Sequence, residues 1–197
     1  MARPREFDRQ AALKVAMDLF WQRGYEGVSV ADLTAAMKIA PPSLYAAFGS
    51  KAQLYREVLD AYQRRPGAVS LVALDDAGSV RENVSALLYS AANTATELSP
   101  PLGCMILNGM LACSRDNLEL ADLTVELRQD LIEALRRRFQ RAIREDELTA
   151  DFDADISARY FAAIIQGISV QAHDGARWPE LVALIELALE MLAPIED

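Results

Sequence analysis

The stretch from Val28 to Lys51, VSVADLTAAMKIAPPSLYAAFGSK, constrains what this chain can fold into more than any other. Apolar residues at Val30, Leu33 and Met37 follow a helical period that breaks at Lys38-Ile39-Ala40. A second short helix can start at Pro41-Pro42-Ser43, with Leu44 and Phe48 four apart on one face. Two short helices separated by about three residues make a helix-turn-helix, and the second is sized to enter a DNA major groove.

The flanks extend the pattern. A first helix is expected from about Asp8 to Arg23, with Leu13, Ala16, Met17 and Phe20 on its buried face, Asp8 at its start and Gly24 at its stop. Ser29 is placed to cap the second helix, with the Asp32 carboxylate three residues on. A fourth helix, about Lys51 to Arg64, buries Leu54, Val58 and Tyr62, and Arg64-Arg65-Pro66-Gly67 ends it. Gly24-Tyr25, Ser29, the Leu44-Tyr45-x-x-Phe48 helix and Ser50-Lys51 together resemble the N-terminal DNA-binding domain of the TetR family of bacterial repressors, over roughly residues 6 to 62.

That resemblance implies an all-α chain of about nine helices. Residues 1–65 would be a three-helix DNA-binding domain with its connecting helix, and residues 66–197 a larger ligand-binding and dimerisation domain. It also implies a partner, double-stranded operator DNA, and a phosphate contact from Ser29 besides its capping role. Lys38 stands where relatives commonly have glycine, and Ala40 where they have a polar cap; Pro41 and Pro42 can start the helix without one. Ala46 and Ala47 replace longer polar groups, so Ser43 and Tyr45 are left to reach base edges or phosphate, while Ala46 can pack on thymine methyls. Direct readout is therefore expected to be thin, with shape and phosphate anchoring contributing much of the specificity. Tyr45 lies about 100° from the Leu44 and Phe48 face, which favours a phosphate-directed hydroxyl over a core aromatic. Lys51, in the first turn of its helix, gains nothing from the dipole unless a phosphate approaches the same amides. Arg3 and Arg5 flank Pro4 in a tail that is either a solvated terminus or an arm following phosphates or entering the minor groove.

The net charge of −9 argues naively against a nucleic-acid partner, but its distribution reverses that. Residues 1–65 carry ten basic against seven acidic side chains, and the remainder ten against twenty-two. The first five residues lack the apolar core of a signal peptide, and a cytoplasmic protein is expected. From Asn83 to Ser114 only Glu97 is charged, yet Pro100-Pro101, Gly103, Gly109 and three asparagines make a poor membrane span, so no membrane partner is expected. Cys104 and Cys113, if on one helix, would lie ~13 Å apart and face away from each other, too far for a disulfide.

Residues Ala68 to Gly78 give weak signals, for a short helix or a loop. Five helices are expected after them: about Val80 to Glu97, Leu102 to Ser114, Asn117 to Glu147, Asp153 to His173 and Pro179 to Ala193. The long one carries Leu120, Leu123, Leu127, Leu131, Leu135 and Phe139 on one stripe. Arg136, Arg137, Arg138, Arg141 and Arg144 would lie elsewhere as a solvated, salt-bridged helix end rather than a nucleic-acid patch. The last two helices are apolar on two faces, and a helix apolar on two faces must bury both. An isologous homodimer through Phe161, Ile165, Ile168, Ala172, Val182, Ile185 and Leu189 is expected, which would set two recognition helices about one DNA turn apart on a roughly palindromic site.

No catalytic or metal-ligand spacing stands out and no cofactor is expected; the single histidine, His173, reads as a helix end. A greasy cavity with a few polar fixtures is expected around Leu88, Tyr89, Asn93, Cys104, Leu107, Asn108 and Leu111. The family resemblance implies a small-molecule effector there, and an uncharged lining favours a neutral or hydrophobic one. Cys104, placed near a helix N-terminus, is also a candidate electrophile-sensing thiol. A helical binding module with a weakened DNA head is the alternative from another class, and an enzyme is more distant.

Overall fold

A computed structural model describes residues 8–65, 68–96 and 103–192. Among these it contains nine α-helices and no strand. α1 (Arg9–Arg23), α2 (Val30–Met37), α3 (Pro41–Phe48) and α4 (Lys51–Gln63) form the head. α5 (Val80–Thr96), α6 (Met105–Asn108), α7 (Leu118–Arg144), α8 (Ala154–His173) and α9 (Trp178–Leu189) form the body, with 3₁₀ turns at Leu71–Leu74, Arg115–Asn117 and Glu190–Leu192. Arg3 and Arg5 lie outside the described residues.

The head helices begin and end where local chemistry dictates. Asp8 accepts hydrogen bonds from the N–H groups of Gln10 and Ala11, and Ser50 from that of Gln53. At α2 the Ser29 Oγ accepts the Asp32 N–H at 3.1 Å while the Asp32 carboxylate accepts the Ser29 N–H at 2.8 Å, a reciprocal capping box. α3 starts on Pro41 and Pro42 with no side-chain cap from Ala40.

Lys38 closes α2 in the left-handed region, at φ 57° and ψ 43°. A residue with a Cβ is strained there and glycine is not. Lys38→Gly is therefore expected to stabilise the protein by about 0.5–1 kcal/mol, read as a raised thermal midpoint. An unchanged or lowered midpoint would show that other contacts of the lysine outweigh the strain.

Two hydrophobic clusters organise the packing. One fills the body with α5, α7, α8 and α9 around Leu88, Leu135, Phe139 and Phe161. The other fills the head around Phe20, Leu33, Leu44, Leu54 and Tyr55, and it also takes in Met105, Met110 and Leu120 from beyond residue 100.

Three expectations are corrected here. The helix expected over 102–114 is a single turn, Met105–Asn108. At Gly109 an added Cβ would lie 2.4 Å from the Met105 carbonyl oxygen, and Met110 follows at φ 53°. The run is apolar because Met105 and Met110 reach into the head cluster, not because it forms one helical face. Cys104 and Cys113 thus share no helix, and both are free thiols.

Arg138 does not belong to a solvated helix end, since its residue is only 2% exposed. Its Nε donates to Asn83 Oδ1 at 2.6 Å, and its Nη2 to Gly78 O at 3.1 Å and Glu147 Oε1 at 2.8 Å. Arg141 likewise donates to the carbonyl of Leu74 at 3.1 Å. These arginines tie α7 to the chain around α5, whereas Arg136 pairs with Glu133 and Asp155 nearer the surface.

The face assigned to a twin subunit is the inward one. Phe161, Ile165, Ile168, Ala172, Ile185 and Leu189 are each at most 2% exposed within one chain, so they pack the body's own core, and Val182 is half-buried. The other face stays open, with Ile156, Val170, Trp178, Leu187 and Met191 all exposed on α8, on α9 or just after it.

Candidate nucleic-acid interface and the cavity behind it

Leu44 and Phe48 turn α3 inward, which leaves Pro41, Pro42, Ser43, Tyr45 and Ala46 exposed. Tyr45 is 49% exposed, so its ring is not part of the core. Ser29 and Lys38 are exposed at the two ends of α2. The Ser29 hydroxyl is engaged with the Asp32 carboxylate at 2.5 Å. The hydroxyl and N–H of Ser29 hold the Asp32 carboxyl below its usual acidity range, so Asp32 stays a negative charge at this edge.

Lys51 is neither free in solvent nor paired end-on. Its ammonium lies 4.0 Å from the centroid of the Tyr25 ring. Burial lowers its pKa, opposed by the attraction of Glu26 and Asp32.

Arg9 positions the recognition helix and went unnoticed in the sequence. Its guanidinium lies 4.6 Å from the Phe48 ring centroid, donates to Ala47 O at 3.3 Å and pairs with Glu57 at 2.6 Å, joining α1, α3 and α4. Nothing in the local pattern distinguishes it from an ordinary surface arginine, because its partners are 38 and 48 residues away.

Behind the head is a cavity of ≈ 110 Å³, walled by Tyr62 and Gln63 of α4, Ala91 and Thr94 of α5, Cys104, Ile106 and Leu107 around α6, Leu127 and Leu131 of α7, and Ile165 and Ser169 of α8. Of the seven residues expected to line such a site, only Cys104 and Leu107 do so. Leu88 is wholly buried in the body core, and Asn93 is exposed because α5 turns Ala91 and Thr94 to the cavity instead. Tyr89 is on the outside, hydrogen-bonded to Glu186 and with its ring centroid 6.1 Å from that of Trp178. Asn108 and Leu111 line a separate cleft of ≈ 380 Å³ between the end of α1 and the end of α8, which Cys104 and His173 also border. Tyr62 and Leu127 were legible only as core, and Ile165 only as part of an apolar face assigned to the dimer, since helical periodicity marks an apolar face without revealing a void behind it.

The segment before and through α6 is pinned from both sides. Trp21 Nε1 of the head donates to Gly103 O at 3.1 Å, and the Met105 N–H of the body donates to the Tyr62 hydroxyl of α4 at 3.3 Å. Cys104 N–H donates to Ser169 Oγ at 2.7 Å, and Arg128 Nη1 to the carbonyls of Ile106 and Gly109. Burial, with the Cys104 thiol alongside, pushes the Tyr62 hydroxyl well above its usual range, so it stays a neutral donor and acceptor. Among the described residues no cluster of three metal-ligating side chains occurs, and no helix is long and apolar enough to cross a membrane.

Comparison with known proteins agrees with this geometry. Residues 12–58 match the family described as bacterial regulatory proteins, tetR family, and residues 80–174 a tetracyclin repressor-like C-terminal domain. The chain is 36% identical over 192 residues to the HTH-type transcriptional repressor ComR of Escherichia coli, covering 96% of this chain and 90% of that protein. It is 32% identical over 195 residues to the repressor BdcR of the same organism, covering 98% and 93%. Among solved structures it is similar to a cysteine mutant of the TetR family regulator CifR in complex with 26-bp operator DNA, with a TM-score of 0.88 at 42% identity over 95% of this chain and 98% of that one.

Proposed function

Since the chain belongs to the TetR family of bacterial transcriptional regulators, we propose that it is a dimeric repressor that binds a roughly palindromic operator and is released by a small, neutral or hydrophobic effector. Residues 1–65 are the DNA head and 66–197 the effector and dimer body. The head contacts DNA through Ser29, Lys38, Pro41, Pro42, Ser43, Tyr45, Ala46 and Lys51, with Arg3 and Arg5 following the backbone from the tail. The twin subunit docks on the exposed side of α8 and α9.

The observation that carries this reading is the shared wall of the inner cavity. Tyr62 and Gln63 belong to α4, the helix leading out of the head, while every other face of the cavity belongs to the body. At ≈ 110 Å³ the cavity is small, with room inside its walls for only a few heavy atoms of a ligand. A larger effector displaces α4 or α6, and the two heads change separation. DNA and effector then favour different arrangements, and their binding energies oppose.

Selection of genomic fragments by the full-length protein, followed by release with candidate ligands, tests this. Enriched fragments are expected to share an inverted repeat. Tyr45→Phe, which removes only a hydroxyl, is expected to weaken binding about threefold to tenfold by a similar factor on every sequence, as a phosphate contact would. Absence of any enriched duplex at low salt would overturn the reading. A preference set by guanine contacts from α3 would overturn the thin-readout part of it.

A further inference from the structure

Glu26 lies in the loop between α1 and α2, and its Oε1 accepts two hydrogen bonds from the body. One comes from the backbone N–H of Ser114 at 2.8 Å and the other from Asn117 Nδ2 at 2.9 Å. The Asn117 amide also donates to Ser114 Oγ at 3.0 Å, so the segment offers its donors as a unit. Asn117 immediately precedes α7, and α7 carries Leu127 and Leu131 to the cavity wall. Lys51 stacks on Tyr25, the residue next to Glu26, and lies close enough for their charges to attract. The carboxyl is held below its usual range by the Ser114 N–H first and the Asn117 amide next, with Lys51 a smaller contributor.

We propose that Glu26 is a positioning residue of the DNA interface, which ties the start of α7 to the head and, through its charge, governs how freely Lys51 meets a phosphate. This rests on the reading of Lys51 as a phosphate contact. While Ser114 and Asn117 hold the carboxylate, much of its charge is satisfied by the body. When the start of α7 withdraws, those donors leave and the carboxylate turns to Lys51, which then attracts a phosphate less strongly. Movement at the cavity thereby reaches the interface by a path separate from α4.

The test uses the full-length protein and two probes, a duplex selected from genomic DNA by the wild type and a random-sequence duplex of the same length. Glu26→Gln removes the charge and is expected to tighten binding to both duplexes about threefold to tenfold at low salt, with a steeper salt dependence. Asn117→Ala keeps the charge and removes one donor, and that side chain makes no capping bond to α7. It is expected to weaken binding about threefold, and to have no effect when Gln already stands at position 26. A purely structural tether would shift both single variants the same way. Shifts of the same sign, or an Asn117→Ala effect that persists in the double variant, would overturn the proposal. If the wild type retains neither duplex, the DNA-binding reading fails; if it binds and Glu26→Gln matches it at every salt concentration, only the role of Glu26 fails.

Discussion

Leu187→Arg is expected to yield a folded monomer whose affinity for the operator is lower by at least about 100-fold. Leu187 is 61% exposed on α9, so the substitution leaves the protomer core untouched. Ile156, Val170, Trp178 and Met191 are exposed on the same pair of helices or just after them, an accumulation of large apolar groups that marks an association surface. In an isologous dimer one substitution acts twice, setting two long charged side chains into an apolar seam. The second head of a dimer binds at the high effective concentration created by the first, and a monomer loses that advantage. Sedimentation, circular dichroism and operator titration on one preparation check the three parts. Retention of the dimer at micromolar concentration would move the interface off this face. A monomer with undiminished affinity would show that pairing is not needed for DNA binding. Gly167 offers an independent variant, since a Cβ there meets nothing within 4 Å in the protomer. Gly167→Arg is expected to behave as Leu187→Arg does.

Arg138→Ala is expected to cost about 3–5 kcal/mol, the range for breaking a buried ion pair from one side. The side chain is fully buried, and its removal takes one donor each from Asn83 Oδ1, Gly78 O and the Glu147 carboxylate, and leaves that carboxylate without its ion-pair partner. Glu147 also accepts the N–H of Val80 at the start of α5, so the loss spreads to the helix that carries Ala91 and Thr94. Thermal or urea unfolding at fixed protein concentration reads the loss directly. Arg138→Met with Glu147→Leu is expected to be less damaging than the two single changes summed, with a coupling of about 2–3 kcal/mol, because removing both charges leaves neither stranded. Additive losses would mean that the two side chains do not act as a pair.

Much of the head was legible in the sequence because its helix ends are set by neighbouring residues. Asp8, Ser29 and Ser50 cap the helices they precede, and the turn at Lys38 is left-handed as its position required. The body was less legible wherever the deciding partner is distant in sequence. Periodicity showed that α8 and α9 are apolar on two faces but gave no basis for choosing which face meets the protomer's own core. Arg138 was grouped with its charged neighbours. Yet Leu131, Leu135, Arg138 and Ala142 are spaced by four, three and four, which puts the arginine on the buried stripe, and that signal was available. A cavity near Cys104 and Leu107 was legible, but most of its walls were not, because Ala91, Leu131 and Ile165 look the same whether they face side chains or empty space.

The recruitment of Met105, Met110 and Leu120 into the head's hydrophobic cluster bears on how a protein of this kind can diverge. Cut at residue 65, the head would lose three of its packing partners along with the body. A chimaera that grafts it onto an unrelated sensor would expose a raw apolar seam unless the loop around α6 travelled with it. Swapping the sensing half is therefore not a free recombination event for this lineage. New ligand specificity is more accessible through point changes inside the existing cavity than through exchange of whole halves.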